Sequence, residues 1–464
     1  MGHCIVCGLG QVGFRVVRLL RRLGESVTVI TENSREDFLR EVTESGAKVI
    51  TGDARNDQHL VEAGISHAKT VIACISNDLA NIGIAMDAAR LNPSCRIVIR
   101  MFDQGLASHL TDVIGIDRTV SMSAAAAPAF AASALGEAGK GLFSHNGRTY
   151  EVVLKDGKQE VIEIERLRTA TEHKHTFWHK FQRLLFFPAA IWTSVTPQLK
   201  TIATLILALV LISVVAFQFV LHLSLVDALY FVITTVTTTG YGDITPKDFG
   251  VSEKILVCAL MILGSAGVAT FYSILTDYLI RARFNQMLGQ QDTALEDHVI
   301  LIGLGNLGFR TANELRQLGL PIVVVDLESD TEFRSQLDRR ITFMVGDGRD
   351  KKVLQRAGVA RAASIISATS DDAMNLSIGL AAKAMNPNLR LVIRLFDDAF
   401  ATKVKSHFPV HAASSASKIA APVFVTAALY PDSVHAFVEE NCMIMVCESR
   451  DGYEVKELPL APGN

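Results

Sequence analysis

Gly8-Leu9-Gly10-Gln11-Val12-Gly13-Phe14-Arg15 stands near the start of the chain, and Gly303-Leu304-Gly305-Asn306-Leu307-Gly308-Phe309-Arg310 repeats it far downstream. The echo continues at an offset of 294 or 295 residues. Gly52-Asp53 returns as Gly346-Asp347, Ala63-Gly64 as Ala357-Gly358, and Asn92-Pro93 as Asn386-Pro387. Val98-Ile99-Arg100 returns as Val392-Ile393-Arg394, and Phe102-Asp103 as Phe396-Asp397. Self-similarity at one fixed offset means two copies of one domain, here near residues 1–170 and 298–464.

Within each copy, apolar β-branched runs alternate with helical patterns. In the second copy Val299–Ile302, Ile322–Val325, Ile341–Val345, Ser364–Ser367 and Leu391–Ile393 read as strands, with helices over Leu307–Leu318 and Ala373–Met385. Continuously apolar strands separated by helices predict a parallel sheet covered on both faces. Cys4 and Cys7 form a CxxC on the first strand, where residues three apart point to opposite faces, so core packing is expected there rather than redox or zinc chemistry. The seven scattered cysteines make no disulfide framework and suit a reducing compartment. With 45 basic and 48 acidic residues, no broad basic surface for nucleic acid is expected. The opening residues lack the pattern of a cleavable signal peptide.

Between the copies the composition changes. Thr201 to Leu221 carries no charged side chain, and neither does Ile255 to Thr276. Twenty-one residues of helix reach about 30 Å, one hydrocarbon thickness. Lys180, Arg183 and Lys200 precede the first run and Arg281 and Arg283 follow the second, which places both outer ends on the cytoplasmic side. Phe177–Trp192 reads as an interfacial helix or a plain linker. His173, His175 and His179 lie in that stretch without a recognised metal-ligand spacing.

The loop between the apolar runs holds Thr237-Thr238-Thr239-Gly240-Tyr241-Gly242-Asp243, preceded by a short apolar helix over Leu225–Thr235. A re-entrant segment of this kind is tolerated only where its backbone is buried in protein or faces water. Thr-Thr-Gly-Tyr-Gly-Asp resembles the filter signature of potassium channels. The resemblance implies that backbone carbonyls of Thr238, Thr239, Gly240 and Tyr241 replace the water around K+, with Thr238 adding its hydroxyl and Tyr241 wedged against the pore helix. Thr239 stands where the commoner filter has Val; the two are nearly isosteric. One hairpin cannot enclose a pore, so a homotetramer is expected. Gly264 and Gly267 on the second span offer either a hinge or close helix packing. Asp277 offers either a ring of acids at the inner mouth or an interfacial charge.

The glycine motif follows a strand and opens a helix twice, the context of a dinucleotide fingerprint. Gly8, Gly10, Gln11 and Val12, and likewise Gly303, Gly305, Asn306 and Leu307, would bring backbone amides to a phosphate. Asp326 ends the second strand of its copy, where a carboxylate can accept ribose hydroxyls. Thr31, followed by Glu32, Asn33, Ser34 and Arg35, holds the aligned position in the first copy and would bind ribose less well or tolerate a 2′-phosphate.

Taken together, the chain resembles the potassium channels regulated by RCK domains, which are related to TrkA nucleotide-binding subunits. The resemblance implies a membrane α-helical two-span pore module flanked by two α/β Rossmann-like RCK domains. Their limits are 1–170, a juxtamembrane linker 171–198, a pore domain 199–284 (spans 199–221 and 253–280, pore helix and filter 225–243), a linker 285–297, and 298–464. It further implies Asp53 and Asp347 near an adenosine, eight RCK domains in a gating ring, and NAD, NADH or an ADP-type nucleotide as ligand. The linker Ala282–Asp297 would carry the pull from the second domain to the inner helix. A domain preceding the pore departs from the usual order. Calcium at Asp57, Asp371 and Asp372 is a weaker candidate than surface solvation. A channel-like subunit of a potassium transporter, or a membrane-tethered NAD-dependent oxidoreductase, are the alternatives; no acid–base constellation supports the latter.

Overall fold

The structure is a computed structural model that describes residues 2–102, 114–136, 141–155, 158–164, 197–220, 222–245, 247, 250–287, 292–450 and 452–462. It divides into two compact units, Met1–Thr169 with Gly289–Asn464, and Ala170–Leu288. Phe177–Trp192, the three histidines near it and Asp103 lie outside the described residues.

The first copy runs β1 (His3–Cys7), α1 (Gln11–Arg22), β2 (Val27–Thr31), α2 (Glu36–Glu44), β3 (Lys48–Thr51), α3 (Asp57–Glu62), β4 (Ala68–Ala73), α4 (Asp78–Leu91), β5 (Arg96–Arg100) and β6 (Arg118–Val120). These strands form one parallel sheet in the order β3-β2-β1-β4-β5-β6. The order reverses beside β1, and ligands of open α/β sheets bind at that switch point. Strand alternation divides β1 between two cores: Cys4 and Val6 enter one layer, Ile5 and Cys7 the other. Burial pushes the Cys4 thiol up to about 12 and that of Cys7 higher still, so neither is a ready thiolate. After α5 (Met122–Leu135) comes an antiparallel sheet of β7 (Leu142–His145), β8 (Arg148–Lys155) and β9 (Lys158–Glu163).

The second unit holds α6 (Pro197–Val220), α7 (Leu225–Val236) and α8 (Val251–Met287). α6 and the Val251–Ile280 part of α8 are long and apolar enough to cross a membrane. The three helices share a core in which Phe217 of α6 meets Phe231 of α7 edge to face at 5.3 Å, beside Val257 and Leu260 of α8. Their other faces carry exposed Leu211, Ile212, Phe219, Ile262 and Leu263, apolar area that requires lipid or further protein to cover it. The helical backbone of α8 continues to Met287, through the start of the segment read from sequence as a linker.

The second copy repeats the first with β10 (Val299–Ile302), α9 (Asn306–Gln317), β11 (Ile322–Asp326), β12 (Thr342–Val345), α10 (Lys351–Arg356), β13 (Ser364–Ser367), α11 (Asp372–Met385), β14 (Arg390–Arg394), α12 (Asp398–His407) and β15 (Ala412–Ser414). Its sheet has the matching order β12-β11-β10-β13-β14-β15. α13 (Ala416–Leu429) and the antiparallel β16 (Ser433–Glu439), β17 (Cys442–Ser449) and β18 (Gly452–Pro459) complete it.

The copies exchange helices. Phe130 and the alanines of α5 pack among Leu301, Val324 and Leu315 of the second copy. Phe424 and the small residues of α13 pack among Val6, Val29 and Val16 of the first. Both helices are apolar on nearly every side, and such a helix is stable only when enclosed. Their alanines let backbones approach closely, while Phe130 and Phe424 fill the remaining space. The antiparallel sheets also meet, with the Phe143 ring stacked on His435 at 5.0 Å.

Candidate functional site

The loop after α7 has an uncommon backbone. Thr238, Gly240 and Gly242 have φ of 58°, 49° and 80°, and Thr239 and Tyr241 between them do not share that hand. Alternating hands turn successive peptide groups the same way. A β-branched residue at positive φ is strained, so Thr238 marks a conformation that its surroundings impose. Thr234 imposes part of it, its carbonyl accepting from the amides of Thr239 and Gly240 at 2.9 and 3.2 Å. The phenol of Tyr230 lies near the carboxylate of Asp243, and its ring lies parallel to Tyr241 at 6.5 Å. Thus α7 buttresses the loop from behind. The Thr239 hydroxyl sits 2.9 Å from that of Thr237, a partner that valine would lack. A Cβ on Gly264 would stand 3.0 Å from the Val236 side chain, and one on Gly267 3.4 Å from Ile206. Both glycines therefore face packed neighbours, Gly264 the more closely.

In the other unit each glycine loop opens onto a cavity at its switch point. The second copy's cavity, about 530 Å³, is lined by Gly303, Gly305, Asn306, Leu307, Asp326 and Asp347. The first copy's, about 630 Å³, is lined by Gly8, Gly10, Gln11, Val12, Thr31 and Asp53. Glu32 and Asn33 are also on the first wall, whereas Gly13, Gly308, Ser34 and Arg35 line neither cavity. Gly8 and Gly303 turn at φ of 96° and 97°, conformations open to glycine. Gly13 and Gly308 lie so close to the first glycine's carbonyl that a Cβ would stand 1.9 Å from its oxygen. Above Gly10 and Gly305 there is open space within 4 Å, room for a phosphate at the amino end of α1 or α9.

The carboxylates differ in their duties. Asp326 accepts from the Leu304 amide at 2.6 Å and the Glu328 amide at 3.0 Å, so it also pins the loop. In the first copy, Thr31 donates to the Asn33 carbonyl and Ser34 to the Leu9 carbonyl, a different fastening without charge. Asp53 and Asp347 stand two residues beyond β3 and β12. Bonds from Arg55 and Arg349 hold their carboxyls below the usual range. Asp57 is paired with Arg90, Asp371 caps α11, and Asp372 accepts from the Phe396 amide. Among the described residues no group of three or more metal-ligating side chains occurs.

Sequence reading did not foresee that each cavity is completed by the other copy. Phe102, Ser121 and Ser123 line the second cavity, and Phe396, Ala416 and Ser417 the first. Arg15 donates to the Phe396 carbonyl at 2.9 Å and pairs with Asp398 at 3.1 Å. Arg310 donates to the Phe102 carbonyl at 2.9 Å and the Ser123 hydroxyl at 3.1 Å. The signal was present: an arginine closes both copies of the repeated octapeptide.

Comparison with known proteins agrees with these features. The TrkA-N domain family matches residues 4–122 and 299–415, and the Ion channel family matches 201–281. Probable potassium channel protein 2 of Methanocaldococcus jannaschii is 26% identical over 45% of this chain and 62% of its own length. Voltage-gated potassium channel Kch of Escherichia coli is 30% identical over 40% of this chain and 45% of its own. Among solved structures, the GsuK RCK domain shares the fold with TM-score 0.52 at 16% identity, covering 100% of this chain and 90% of that one. The chain spans less than two thirds of the length of those two channel relatives. With the TrkA-N pattern on about half of its residues, in two copies around an ion-channel segment, the chain belongs to the TrkA-N domain family.

Proposed function

We propose that the chain is the subunit of a homotetrameric, potassium-selective channel whose opening is governed by nucleotide in the two cavities. The observation that carries the pore reading is the alternating backbone hand over Thr238, Gly240 and Gly242. Four such loops around an axis would surround K+ with the carbonyls of Thr238, Thr239, Gly240 and Tyr241. The channel names of the relatives support the same reading.

Packing of both copies into one body supports the membrane topology, because an even number of crossings must then separate them. The basic flanks favour the cytoplasm of a cell membrane for that body. Four chains would supply eight domains for a ring, each with its own cavity. A conformation that holds nucleotide more tightly gains about 1–3 kcal/mol per site, enough when several act together to move the inner helices. The open space above Gly10 and Gly305, with Asp53 or Asp347 on the same wall, suits an adenine nucleotide such as NAD, NADH or ADP.

The test is single-channel recording of purified protein in a planar bilayer under a potassium-to-sodium gradient, adding NAD, NADH and ADP in turn. A potassium-selective current whose open probability follows one of them supports both parts. Selective current indifferent to all three removes the nucleotide part, and absence of selective current from intact tetramers removes the pore.

A further inference from the structure

Beyond the glycine loops, the two cavities share a wall. Arg100 at the end of β5 and Arg394 at the end of β14 each line both of them. Neither arginine has an ion pair among the described residues. Asp78, on the wall of the second copy's cavity, holds the Phe102 amide at 2.8 Å, and Asp372 holds the Phe396 amide at 3.0 Å. The Nε of Arg394 is buried without a hydrogen-bond partner, and its Nη1 reaches only the Ala368 and Thr369 carbonyls, at 3.4 and 3.5 Å. Its guanidinium lies over the Phe396 ring at 4.3 Å. Burial pulls the Arg394 pKa down; the charge of Asp372 opposes this and that of Arg100 adds to it. Two guanidiniums of like charge, half-buried and lacking a carboxylate, are costly unless an anion joins them. Planar guanidiniums suit phosphate oxygens in particular.

We propose that Arg100 and Arg394 form one anion subsite shared by the two cavities, taking the outer phosphate of a nucleoside di- or triphosphate bound on either glycine loop. The proposal rests on the nucleotide reading of those cavities. Its consequence is antagonism within a chain. The first outer phosphate neutralises both arginines, and a second nucleotide then meets a spent pair and a like charge. A nucleoside monophosphate has its one phosphate at the glycine loop and leaves the shared pair untouched, so it fills the two cavities independently.

Isothermal titration of the full-length protein with ADP and with AMP tests this. Wild type is expected to take ADP in two steps separated by about tenfold or more in affinity, within the usual range of coupling between sites, and AMP in one step at two per chain. In the Arg100→Gln/Arg394→Gln double variant, ADP should lose about tenfold or more in its first step and bind both cavities alike. Unchanged AMP binding shows there that the cavities are intact. Arg394→Lys, which keeps a cation, should preserve two ADP steps. Wild-type ADP affinity in the double variant, a single ADP step in wild type, or AMP at one site only would overturn the shared subsite. If wild type binds neither nucleotide, the reading of the cavities themselves fails, a result distinct from the others.

Discussion

The second and third glycines of each motif are built for opposite reasons, and alanine separates them. At Gly308 a Cβ would stand 1.9 Å from the Gly303 carbonyl oxygen and 3.0 Å from its carbon. Real contacts of that kind begin near the second value, so strand and helix must part by about 1 Å in a packed core, at a cost of about 3 kcal/mol or more. At Gly305 nothing lies within 4 Å, and φ −80° with ψ −169° is extended backbone that alanine adopts freely. There alanine changes stability by no more than about 1 kcal/mol, the entropy gained against a weaker cap. Its methyl nevertheless occupies the approach of a phosphate, and nucleotide affinity should fall about tenfold, roughly 1.4 kcal/mol. The assay is thermal melting of full-length protein with and without ADP. Gly308→Ala should lower the ligand-free midpoint, whereas Gly10→Ala/Gly305→Ala should keep that midpoint and lose most of the shift on adding ADP. A double variant that keeps the full ADP shift would refute the phosphate reading, and Gly308→Ala melting with wild type would refute the packing argument.

Asp326→Ala should abolish the nucleotide response of the second copy while leaving a potassium-selective pore, since it removes both the proposed ribose acceptor and the anchor of the Leu304 amide; dose–response recordings would show it. Tyr230→Phe deletes the phenol beside Asp243, so the potassium-to-sodium permeability ratio should fall in reversal-potential measurements. Thr239→Val, which loses only a hydroxyl pair with Thr237, should leave that ratio at or above wild type. Glu314 of the second copy accepts from Ser144 of the first at 2.8 Å, and burial raises its pKa. A carboxyl raised on folding favours the fold most below its unfolded value near 4.3. That contribution is lost as pH climbs to the folded value and stays lost above it. Glu314→Gln should therefore flatten the melting midpoint over this pH range, as differential scanning fluorimetry would record.

The parallel sheets were legible because buried strands read as apolar runs and because the repeat supplied two readings of each. The cavity residues were legible because the glycine spacing encodes local geometry. The Thr-Thr-Gly-Tyr-Gly-Asp loop was equally plain, although the Thr237–Thr239 hydroxyl pair emerges only from the folded loop. What sequence concealed is non-local. Nothing in the alanine-rich 122–135 and 416–429 segments says which sheet each will cover, because small apolar residues fit either. Arg100 and Arg394 stood in the repeated Val-Ile-Arg, but a repeated arginine at a strand end does not announce that it faces its own counterpart. The same holds for Arg15 and Arg310, whose partners lie 381 and 208 residues away.

The helix exchange also sets a timetable for synthesis. The face of the first sheet that carries Val6 and Val29 is closed by α13, which leaves the ribosome some four hundred residues after β1. At ordinary elongation rates of about 5–20 residues per second, that face waits for tens of seconds, while the membrane hairpin is made and inserted. The amino-terminal copy is thus a newborn domain that cannot finish folding until translation of its twin is nearly complete. Fragments released before residue 416 would expose the same apolar surface, and are natural clients for chaperones and proteases.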